Sequence, residues 1–407
     1  MKYVILGAGP AGVIAAETLA KTDPDGHITL VGGEAGAPYS RMAIPYVLTG
    51  KIKPDGTHLR KTGGHYADLG IEYVNARATK VADGSVTLED GKALAFDKLL
   101  VATGSHPIKP PVAGLDLPGV HHCWTLEDAD AIAARAKKGS NVVLMGAGFI
   151  GCIILESLVE RGVKLTVVEA EDRMIPKMMD APGGKILAHW VADKGVDLKV
   201  GTKVTAVAQD GDGLKVTTDN GGDISADLLV VATGVKPNAD FLEGSGVKVE
   251  DGILVDDHLQ TSVPGIFAAG DVAKGPDFGG GMSVHAIQPT SADHGRIAAL
   301  NMAGQAARYV GSLSMNVLDT LGLITASFGD WQGGADVAER LDAANHRYTK
   351  LVFDGEVLVG ALSIGRTDQI GVLRGLIQSR IKLGPWKDHL KADPSRIADA
   401  YVARTRA

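Results

Sequence analysis

Two short glycine-rich segments have the residue types and spacing that bind phosphate groups. The first follows an apolar run and reads Gly7-Ala8-Gly9-Pro10-Ala11-Gly12, and the second repeats its spacing as Gly146-Ala147-Gly148-Phe149-Ile150-Gly151. In such a turn the first glycine permits the sharp bend, the second lets the backbone approach a pyrophosphate, and the third lets the next helix pack on the strand. Amides at the helix N-terminus bind the anion. One isolated copy could equally be a turn without a ligand, but two copies in register predict two dinucleotide sites.

An acidic residue follows the first turn near the place where a ribose would lie. The apolar strand from His27 to Val31 leads to Glu34, about 22 residues past Gly12. A carboxylate at this distance accepts hydrogen bonds from ribose hydroxyls. Gly32 and Gly33 come first, so Glu34 lies slightly later than the usual pattern. The sequence still predicts Glu34 as a ribose ligand.

The second turn has a cleaner match. The strand from Lys164 to Val168 ends directly before Glu169. A carboxylate there hydrogen-bonds the adenosine 2'-hydroxyl and repels a 2'-phosphate, which predicts NADH as the better cofactor than NADPH. Arg173 is the counter-indication, although an arginine in a loop is more often solvated than bound to phosphate.

Short apolar runs that end in glycine indicate the elements that position these turns. Four of them read as buried parallel strands: Tyr3 to Leu6, Leu99 to Val101, Val142 to Leu144 and Leu228 to Val231. Helix-like stretches lie between them, for example Ala11 to Ala20, Ala129 to Lys137 and Ile150 to Glu160. This alternation predicts a doubly wound α/β architecture.

The glycine turns belong to a longer internal repeat. Each is followed about 90 residues later by an Ala-Thr-Gly signal, which contains Thr103-Gly104 in the first copy and Thr233-Gly234 in the second. The repeat predicts two dinucleotide-binding domains. A proline-rich connector at residues 106–111 marks the exit from the first, and the glycine fingerprints stop after about Ser312.

Composition excludes several classes of protein. Hydrophobic residues make up 45% and charged residues 22% of the 407-residue chain, which is the balance of a globular protein. The net charge of -7 lacks the excess of positive charge that is typical of nucleic-acid-binding proteins. Two cysteines are too few for a disulfide framework or an all-cysteine iron-sulfur site, and the histidines lack metal-ligand spacing. We expect a cytoplasmic protein without a membrane span or a bound metal.

A third motif, Thr261 to Asp271, resembles the second FAD motif of the FAD- and NAD-dependent pyridine nucleotide-disulfide oxidoreductase superfamily. With the two glycine turns, the resemblance covers the whole chain. It implies an α/β fold with two Rossmann-like domains, in which an FAD domain is split by an inserted NAD domain, and a C-terminal α+β interface domain. The implied boundaries are 1–110 and 245–312 for the FAD domain, 111–244 for the NAD domain and 313–407 for the interface domain.

The resemblance implies two sets of cofactor contacts. The FAD set comprises Gly7, Gly9, Pro10, Ala11, Gly12, Glu34, Arg41, Thr103, Gly104, Gly270, Asp271 and His285. The NAD set comprises Gly146, Gly148, Phe149, Ile150, Gly151, Glu169, Thr233 and Gly234. In the family the residue matching Asp271 contacts the ribityl chain.

Other residues point to one branch of the superfamily. Pro38-Tyr39-Ser40-Arg41 resembles the flavin-holding segment of ferredoxin, rubredoxin and nitrite reductase-type members. Arg41 is then expected at the FAD phosphate or ribose, with a surface arginine as the alternative. Phe149 matches an aromatic that covers the flavin until nicotinamide displaces it, with plain core packing as the alternative. His285 lies where relatives bring a helix N-terminus to the flavin pyrimidine ring, and that end stabilises negative charge.

Several residues that relatives use for chemistry are replaced here. Met42 stands where single-cysteine members place their redox thiol, and a thioether cannot form a thiolate. Cys152 and Cys123 are expected to be buried structural cysteines. The charged lysine and glutamate of ferredoxin reductase-like members are replaced near Tyr46 and at Ile153, a joint loss that leaves a less polar nicotinamide pocket.

The resemblance implies hydride exchange between NAD(H) and FAD without a side chain acting as acid or base. The other electron partner would be an iron-sulfur or rubredoxin-type protein, in a homodimer or a hetero-complex. The same chain could be the NAD-reducing FAD subunit of a larger metal and iron-sulfur oxidoreductase of the aldehyde oxidoreductase type. Two alternatives stay open: a disulfide or persulfide reductase that uses Cys152, and a redox-responsive FAD protein that acts by binding partners.

The end of the chain is basic, whereas the rest is acidic. From Ser363 onward the sequence contains four aspartates and nine basic residues, which are Arg366, Arg374, Arg380, Lys382, Lys387, Lys391, Arg396, Arg404 and Arg406. This segment has a net charge of +5 and leaves -12 for the remainder. It predicts either a solvated helical face or a surface that attracts an acidic iron-sulfur protein.

Overall fold

The computed structural model describes residues 1–220, 222–366 and 368–405, so Arg406 of the basic segment lies outside the described residues. The chain divides into two compact units. Unit 1 comprises Met1–Val47, Ile52–His106 and Val235–Ser312, and unit 2 comprises Leu48–Lys51, Pro107–Gly234 and the residues from Leu313 onward. The segments expected to form the FAD domain fall mostly in unit 1. Unit 2 holds both the expected NAD domain and the C-terminal segment, and their separation into two domains stays a prediction.

The bounds of the elements are as follows. The strands are β1 Lys2–Leu6, β2 His27–Gly32, β3 Ile71–Asn75, β4 Ala78–Ala82, β5 Ser85–Leu88, β6 Ala93–Ala95, β7 Lys98–Val101, β8 Ser105–Pro107, β9 Val120–His122, β10 Asn141–Met145, β11 Lys164–Val168, β12 Asp197–Lys199, β13 Val204–Asp210, β14 Gly213–Thr218, β15 Asp223–Ala226, β16 Leu228–Val231, β17 Val235–Pro237, β18 Ile253–Leu254, β19 Ile266–Ala268, β20 Ala273–Pro276, β21 Met282–Val284, β22 Met315–Thr320, β23 Leu323–Gly329, β24 Val337–Asp342, β25 Arg347–Asp354 and β26 Val357–Ile364. The α-helices are α1 Pro10–Thr22, α2 Ile44–Leu48, α3 His65–Asp68, α4 Leu126–Arg135, α5 Phe149–Glu160, α6 Ala181–Asp193, α7 Gln288–Met302, α8 Ile370–Ser379, α9 Trp386–Ala392 and α10 Ile397–Thr405.

Unit 1 is built on a parallel sheet in the order β19-β7-β1-β2-β3. Its central strands are buried apolar runs, as expected for a sheet covered on both faces. Helices α1 and α7 lie so close together that a Cβ on Gly295 would be 2.2 Å from the carbonyl oxygen of Ala11. The first glycine turn therefore sits at the carboxyl end of β1, beside α7.

Unit 2 repeats this arrangement in a parallel sheet ordered β12-β11-β10-β16-β9. Leu6 pairs with Val101 in unit 1, and Met145 pairs with Val231 in unit 2, so each glycine turn adjoins its Ala-Thr-Gly signal in the same register. The doubly wound α/β architecture predicted from the alternation of strands, glycine turns and helices is confirmed.

The C-terminal part of unit 2 has a different construction. Five antiparallel strands form a sheet in the order β22-β23-β26-β25-β24, followed by α8, α9 and α10. Its α+β character agrees with the expectation for the C-terminal segment. Among the described residues, no helix is both long and apolar enough to cross a membrane.

Candidate FAD and NAD sites

The first glycine turn shows a separate physical reason for each of its three glycines. Gly7 has φ +108°, and a Cβ there would lie 2.1 Å from the carbonyl oxygen of Ala102. A Cβ on Gly12 would lie 1.8 Å from the carbonyl oxygen of Gly7. A Cβ on Gly9 would meet no atom within 4 Å, although Gly9 adjoins the first turn of α1. The fold thus requires Gly7 and Gly12, whereas Gly9 leaves open the space through which a pyrophosphate would approach the amides.

The second turn has the same geometry. Gly146 has φ +106°, with Ala232 O at 2.5 Å from an added Cβ, and a Cβ on Gly151 would be 2.1 Å from Gly146 O. Gly148 again has nothing within 4 Å of an added Cβ. The residues present at both turns therefore fit a dinucleotide.

Glu34 lies within a cluster of polar side chains. It accepts hydrogen bonds from the Tyr39 hydroxyl and from the guanidinium of Arg41, and Arg41 Nη1 also lies 2.9 Å from the Tyr39 hydroxyl. Burial would raise the pKa of Glu34, but the hydrogen bonds and positive charge of Arg41 outweigh it and hold that pKa below its usual range. The two glycines that delay Glu34 are explained by crowding, because a Cβ on them would approach Tyr73 and Arg77 respectively.

Asp271 lies beside the first glycine turn. The strand β19 pairs with β7, and Gly270, with φ +74°, follows it in a short 3-10 turn that contains Asp271. A Cβ on Gly270 would be 3.2 Å from the Cβ of Ala11, so the first and third motifs are in contact. Burial raises the pKa of Asp271, while a hydrogen bond from Ser291 opposes this rise.

His285 lies just beyond β21 and is close to a carboxylate. Its Nε2 is 3.2 Å from Oδ2 of Asp277, and the ring is almost fully buried. Asp277 accepts hydrogen bonds from the Gly279 amide at 2.7 Å and the Ser283 hydroxyl at 3.1 Å. The contact between Nε2 of His285 and Asp277 does not have the geometry of a hydrogen bond. The expected contact of His285 with FAD stays a prediction.

The Ala-Thr-Gly signals form hydrogen bonds with segments of the same unit that are distant in sequence. Thr103 Oγ1 donates to the Asn238 carbonyl at 2.7 Å, and Asn238 donates from its side chain to Thr103 O at 2.9 Å and from its backbone to Gly104 O at 2.9 Å. In unit 2, Thr233 Oγ1 lies 3.2 Å from Ile108 O, and the Ile108 amide donates to Gly234. The role of Asn238 was not predicted from the sequence, because it depends on a partner 135 residues away.

Glu169 is buried and holds the second glycine turn. Its Oε2 accepts from the Ala147 amide at 2.6 Å, and its Oε1 accepts from the Glu171 amide at 2.8 Å. Only 7% of the residue is exposed. The carboxylate thus places a fixed negative charge directly beside the turn.

Arg173, the counter-indication to NADH preference, is engaged inside unit 2. Its Nη1 lies 2.6 Å from Asp172, and its Nε donates to the carbonyl of Met179 at 3.1 Å. The structure therefore favours Arg173 as a structural residue over a phosphate ligand.

Phe149 and Ile150 begin α5 and pack, partly buried, against the core of unit 2.

The expectation of two buried cysteines is confirmed for Cys152 but is wrong for Cys123, which is only partly buried. Cys152 is completely buried on α5, and burial raises the pKa of its thiol. Burial likewise raises the pKa of Cys123 to about 12. Among the described residues, no cluster of histidine, cysteine and carboxylate side chains could hold a metal ion.

The chain resembles known proteins along its whole length. Residues 1–303 match the family described as pyridine nucleotide-disulphide oxidoreductase. The chain is 33% identical over 413 residues to the NADH-dependent phenylglyoxylate dehydrogenase subunit epsilon of Aromatoleum evansii, covering 99% of this chain and 98% of that protein. It is 30% identical over 419 residues to the ferredoxin--NAD(+) reductase component of the p-cumate 2,3-dioxygenase system of Pseudomonas putida, covering 98% and 97%.

A solved structure shares the fold. The crystal structure of the covalent putidaredoxin reductase-putidaredoxin complex contains a chain that superposes with a TM-score of 0.91 at 24% identity, covering 100% of this chain and 99% of that one. The matched glycine turns, the Asp271 motif and the extent of these similarities agree. The chain belongs to the pyridine nucleotide-disulphide oxidoreductase family, in its ferredoxin reductase-like branch, and is an oxidoreductase that uses FAD and NAD(H).

Proposed function

We propose that the chain exchanges hydride between NAD(H) and FAD and exchanges electrons with an iron-sulfur or rubredoxin-type protein. The observation that carries this proposal is the pair of glycine turns with matching geometry, one in each unit. Of the two thiols in the chain, Cys152 is buried and Cys123 is partly buried. A thiol mechanism needs an accessible thiolate, and burial of Cys152 and Cys123 opposes its formation. This favours transfer of electrons from the flavin to a separate acceptor, for which we propose an iron-sulfur or rubredoxin-type protein.

The residues of unit 1 would hold FAD in distinct ways. The amides following Gly9 would bind the pyrophosphate, Glu34 would accept from the ribose, and Asp271 would accept from the ribityl chain. Arg41 pairs with Glu34, and it would contact the FAD phosphate or ribose. Bound FAD supplies the conversion between hydride transfer and the transfer of single electrons.

The residues of unit 2 would hold NAD(H). The amides following Gly148 would bind its pyrophosphate, and Glu169 would accept from the adenosine ribose while repelling a 2'-phosphate. The turn that contains Ala147 is fixed by Glu169 from one side, which keeps the amides oriented before the cofactor binds. This arrangement favours NADH over NADPH.

The partner is proposed by chemistry and by likeness. One relative that aligns with nearly the whole chain is a subunit of an NADH-dependent dehydrogenase, and another is the reductase component of a dioxygenase system. Both names describe proteins that work with other components. This supports a role as one component of a larger NAD-linked oxidoreductase. The specific proposal, which these names do not test, is the NAD-reducing FAD subunit of a metal and iron-sulfur oxidoreductase of the aldehyde oxidoreductase type.

The test is sequential and anaerobic. The purified protein should be yellow, NADH should bleach its flavin in a stopped-flow experiment, and oxidised rubredoxin or ferredoxin mixed in next should restore the flavin colour while being reduced. Colourless protein that does not take up FAD would refute the cofactor assignment. Flavin that is reduced by NADH but reoxidised only by disulfides or persulfides would refute the proposal that the electron acceptor is an iron-sulfur or rubredoxin-type protein.

The thiol alternative is tested by the double variant Cys123→Ser, Cys152→Ser. Because the pKa of both thiols is raised, we expect NADH-driven reduction of an artificial one-electron dye at the wild-type rate. FAD content and thermal midpoint are measured alongside as controls for folding. Loss of dye reduction in a folded, FAD-loaded variant would revive the disulfide or persulfide mechanism.

A further inference from the structure

Helix α7 buries three polar side chains near its beginning. Thr290, Ser291 and His294 are 5%, 6% and 1% exposed, respectively. Residues three and four apart share one face of a helix, so these side chains point the same way. Buried polar groups cost free energy unless they are hydrogen-bonded, so their partners indicate the purpose of this face.

Two of these side chains bind the turn that carries the third motif. His294 Nδ1 accepts a hydrogen bond from the amide of Gly270 at 3.3 Å, and Ser291 Oγ donates to Oδ1 of Asp271 at 3.2 Å. The helix thus holds the backbone of one residue and the carboxylate of the next. Because Gly270 has φ +74°, the direction of the following Asp271 depends on keeping this unusual backbone conformation.

The hydrogen bond to Gly270 fixes the protonation of the imidazole. Nδ1 must be the acceptor, so the proton of the neutral ring lies on Nε2. Nε2 is buried and has no hydrogen-bond partner in the described part of the chain, while the ring of Tyr309 stands perpendicular at 4.5 Å between centroids. Burial, with a smaller contribution from His285, lowers the pKa of His294 to about 4. The ring is therefore neutral near pH 7.

An aliphatic side chain would fill the same space without burying an unpaired N–H. What the imidazole adds is the acceptor at Nδ1, which satisfies the buried amide of Gly270. Thr290 binds a different segment, since its hydroxyl lies 2.8 Å from that of Ser312. His294 and Ser291 are thus the two residues of this face that are directed at the Gly270–Asp271 turn.

We propose that His294 is a positioning residue for FAD, which fixes the Gly270–Asp271 turn from α7 and thereby orients the Asp271 carboxylate. The inference rests on the proposed contact of Asp271 with the ribityl chain. It predicts that FAD affinity depends on an acceptor atom at the position of Nδ1, and not merely on a filled space.

The experiment measures FAD binding to the apoprotein by quenching of flavin fluorescence. His294→Leu removes the acceptor and should weaken FAD binding about tenfold or more, the effect of leaving one buried amide unpaired. His294→Asn and His294→Gln are matched amides, but only asparagine carries its oxygen on Cγ, where histidine carries Nδ1. We therefore expect Asn to bind FAD nearly as tightly as the wild type and more tightly than Gln.

The control variant is Ile297→Val on the same helix, which removes a buried methylene without touching the turn. It should lower the thermal midpoint of the apoprotein and leave FAD affinity unchanged. Wild-type FAD affinity in His294→Leu, or equal FAD affinities in His294→Asn and His294→Gln, would overturn the proposal. If His294→Leu does not fold, the comparison of the Asn and Gln variants decides. Failure of the wild-type apoprotein to bind FAD would instead refute the proposed function, and it is measured first.

Discussion

The carboxylates Glu34 and Glu169 are held by different kinds of partner. Glu34 is bound by the side chains of Tyr39 and Arg41, which can change rotamer when a ligand arrives. Glu169 is bound by the backbone amides of Ala147 and Glu171, which cannot move without disturbing the glycine turn. The charge of Glu169 is therefore fixed in place, whereas the cluster around Glu34 can adjust. A fixed charge is the better discriminator between two cofactors that differ by one phosphate.

The first prediction concerns this discrimination. Glu169→Gln should lower the preference for NADH over NADPH about tenfold to hundredfold, because it removes a charge that repels the 2'-phosphate. The glutamine keeps one oxygen for the Ala147 amide but loses the acceptor that the Glu171 amide uses, so the thermal midpoint is measured alongside. Stopped-flow flavin reduction with each cofactor gives the ratio. Arg173→Ala is the control and should leave that ratio unchanged, since its guanidinium already binds Asp172 and Met179. A selective loss of NADPH use in Arg173→Ala would identify it as a phosphate ligand.

The second prediction concerns the pH dependence of folding. His294 has a pKa of about 4 in the folded chain and an ordinary value of 6.5, so the unfolded chain takes up its proton first as pH falls. The associated stability is present above pH 6.5 and is lost between 6.5 and 4, at about 1.4 kcal/mol per pH unit. Urea unfolding of the apoprotein should show this slope relative to His294→Asn. The raised pKa of Asp271 acts with opposite sign in both proteins and cancels in the difference. If stability changes with pH at the same slope in the wild type and in His294→Asn, the lowered pKa of His294 is contradicted.

Among the elements of the fold, the parallel strands and the glycine turns could be predicted from local sequence patterns. The strand from Lys164 to Val168 has the predicted bounds, and the repeat recurs as matching strand pairs. The partners of buried polar groups were not predictable, because they come from segments far apart in sequence. Thr103 meets Asn238 across 135 residues, and His294 meets Gly270 only because α7 returns to the end of β19. Nothing in the local sequence around His294 indicates which backbone amide its ring would satisfy.

The third prediction separates the glycines that shape the turns from those that admit a ligand. Gly9→Ala and Gly148→Ala add a methyl group to open space, so the thermal midpoint of the apoprotein should stay near that of the wild type. Gly9→Ala should abolish FAD binding, whereas Gly148→Ala should keep FAD and lose reduction by NADH. Gly12→Ala is the control, because its methyl group would lie 1.8 Å from Gly7 O and should destabilise the fold. Normal FAD binding by Gly9→Ala would contradict the assigned route of the pyrophosphate.

At the scale of the whole molecule, charge is distributed unevenly along the chain. Several basic residues near the C-terminus are already neutralised: Lys387 and Lys391 pair with Asp336, and Arg396 pairs with Asp399. Three others are exposed and, in the part of the chain that the structure describes, have no carboxylate partner; they are Arg374 on α8, Arg380 at its end and Lys382 just beyond. These three, here called the α8 basic group, are the charges that could act on an approaching protein.

The last prediction assigns a function to the α8 basic group. Steering by these charges should raise the rate of association with an acidic iron-sulfur protein at low salt, and the rate should fall as the Debye length shortens to about 10 Å near 0.1 M. Reversing all three residues to Glu should slow electron transfer to the protein acceptor and flatten its salt dependence, while flavin reduction by NADH stays unchanged. A matched control reverses Lys80, Lys92 and Lys138, which are also exposed and change the net charge equally. Since only the α8 group is proposed to face the partner, the control should retain both rate and salt dependence. Equal effects of the two triple variants would assign the steering to net charge alone, and no effect of either would leave the α8 basic group as a solvated helical face.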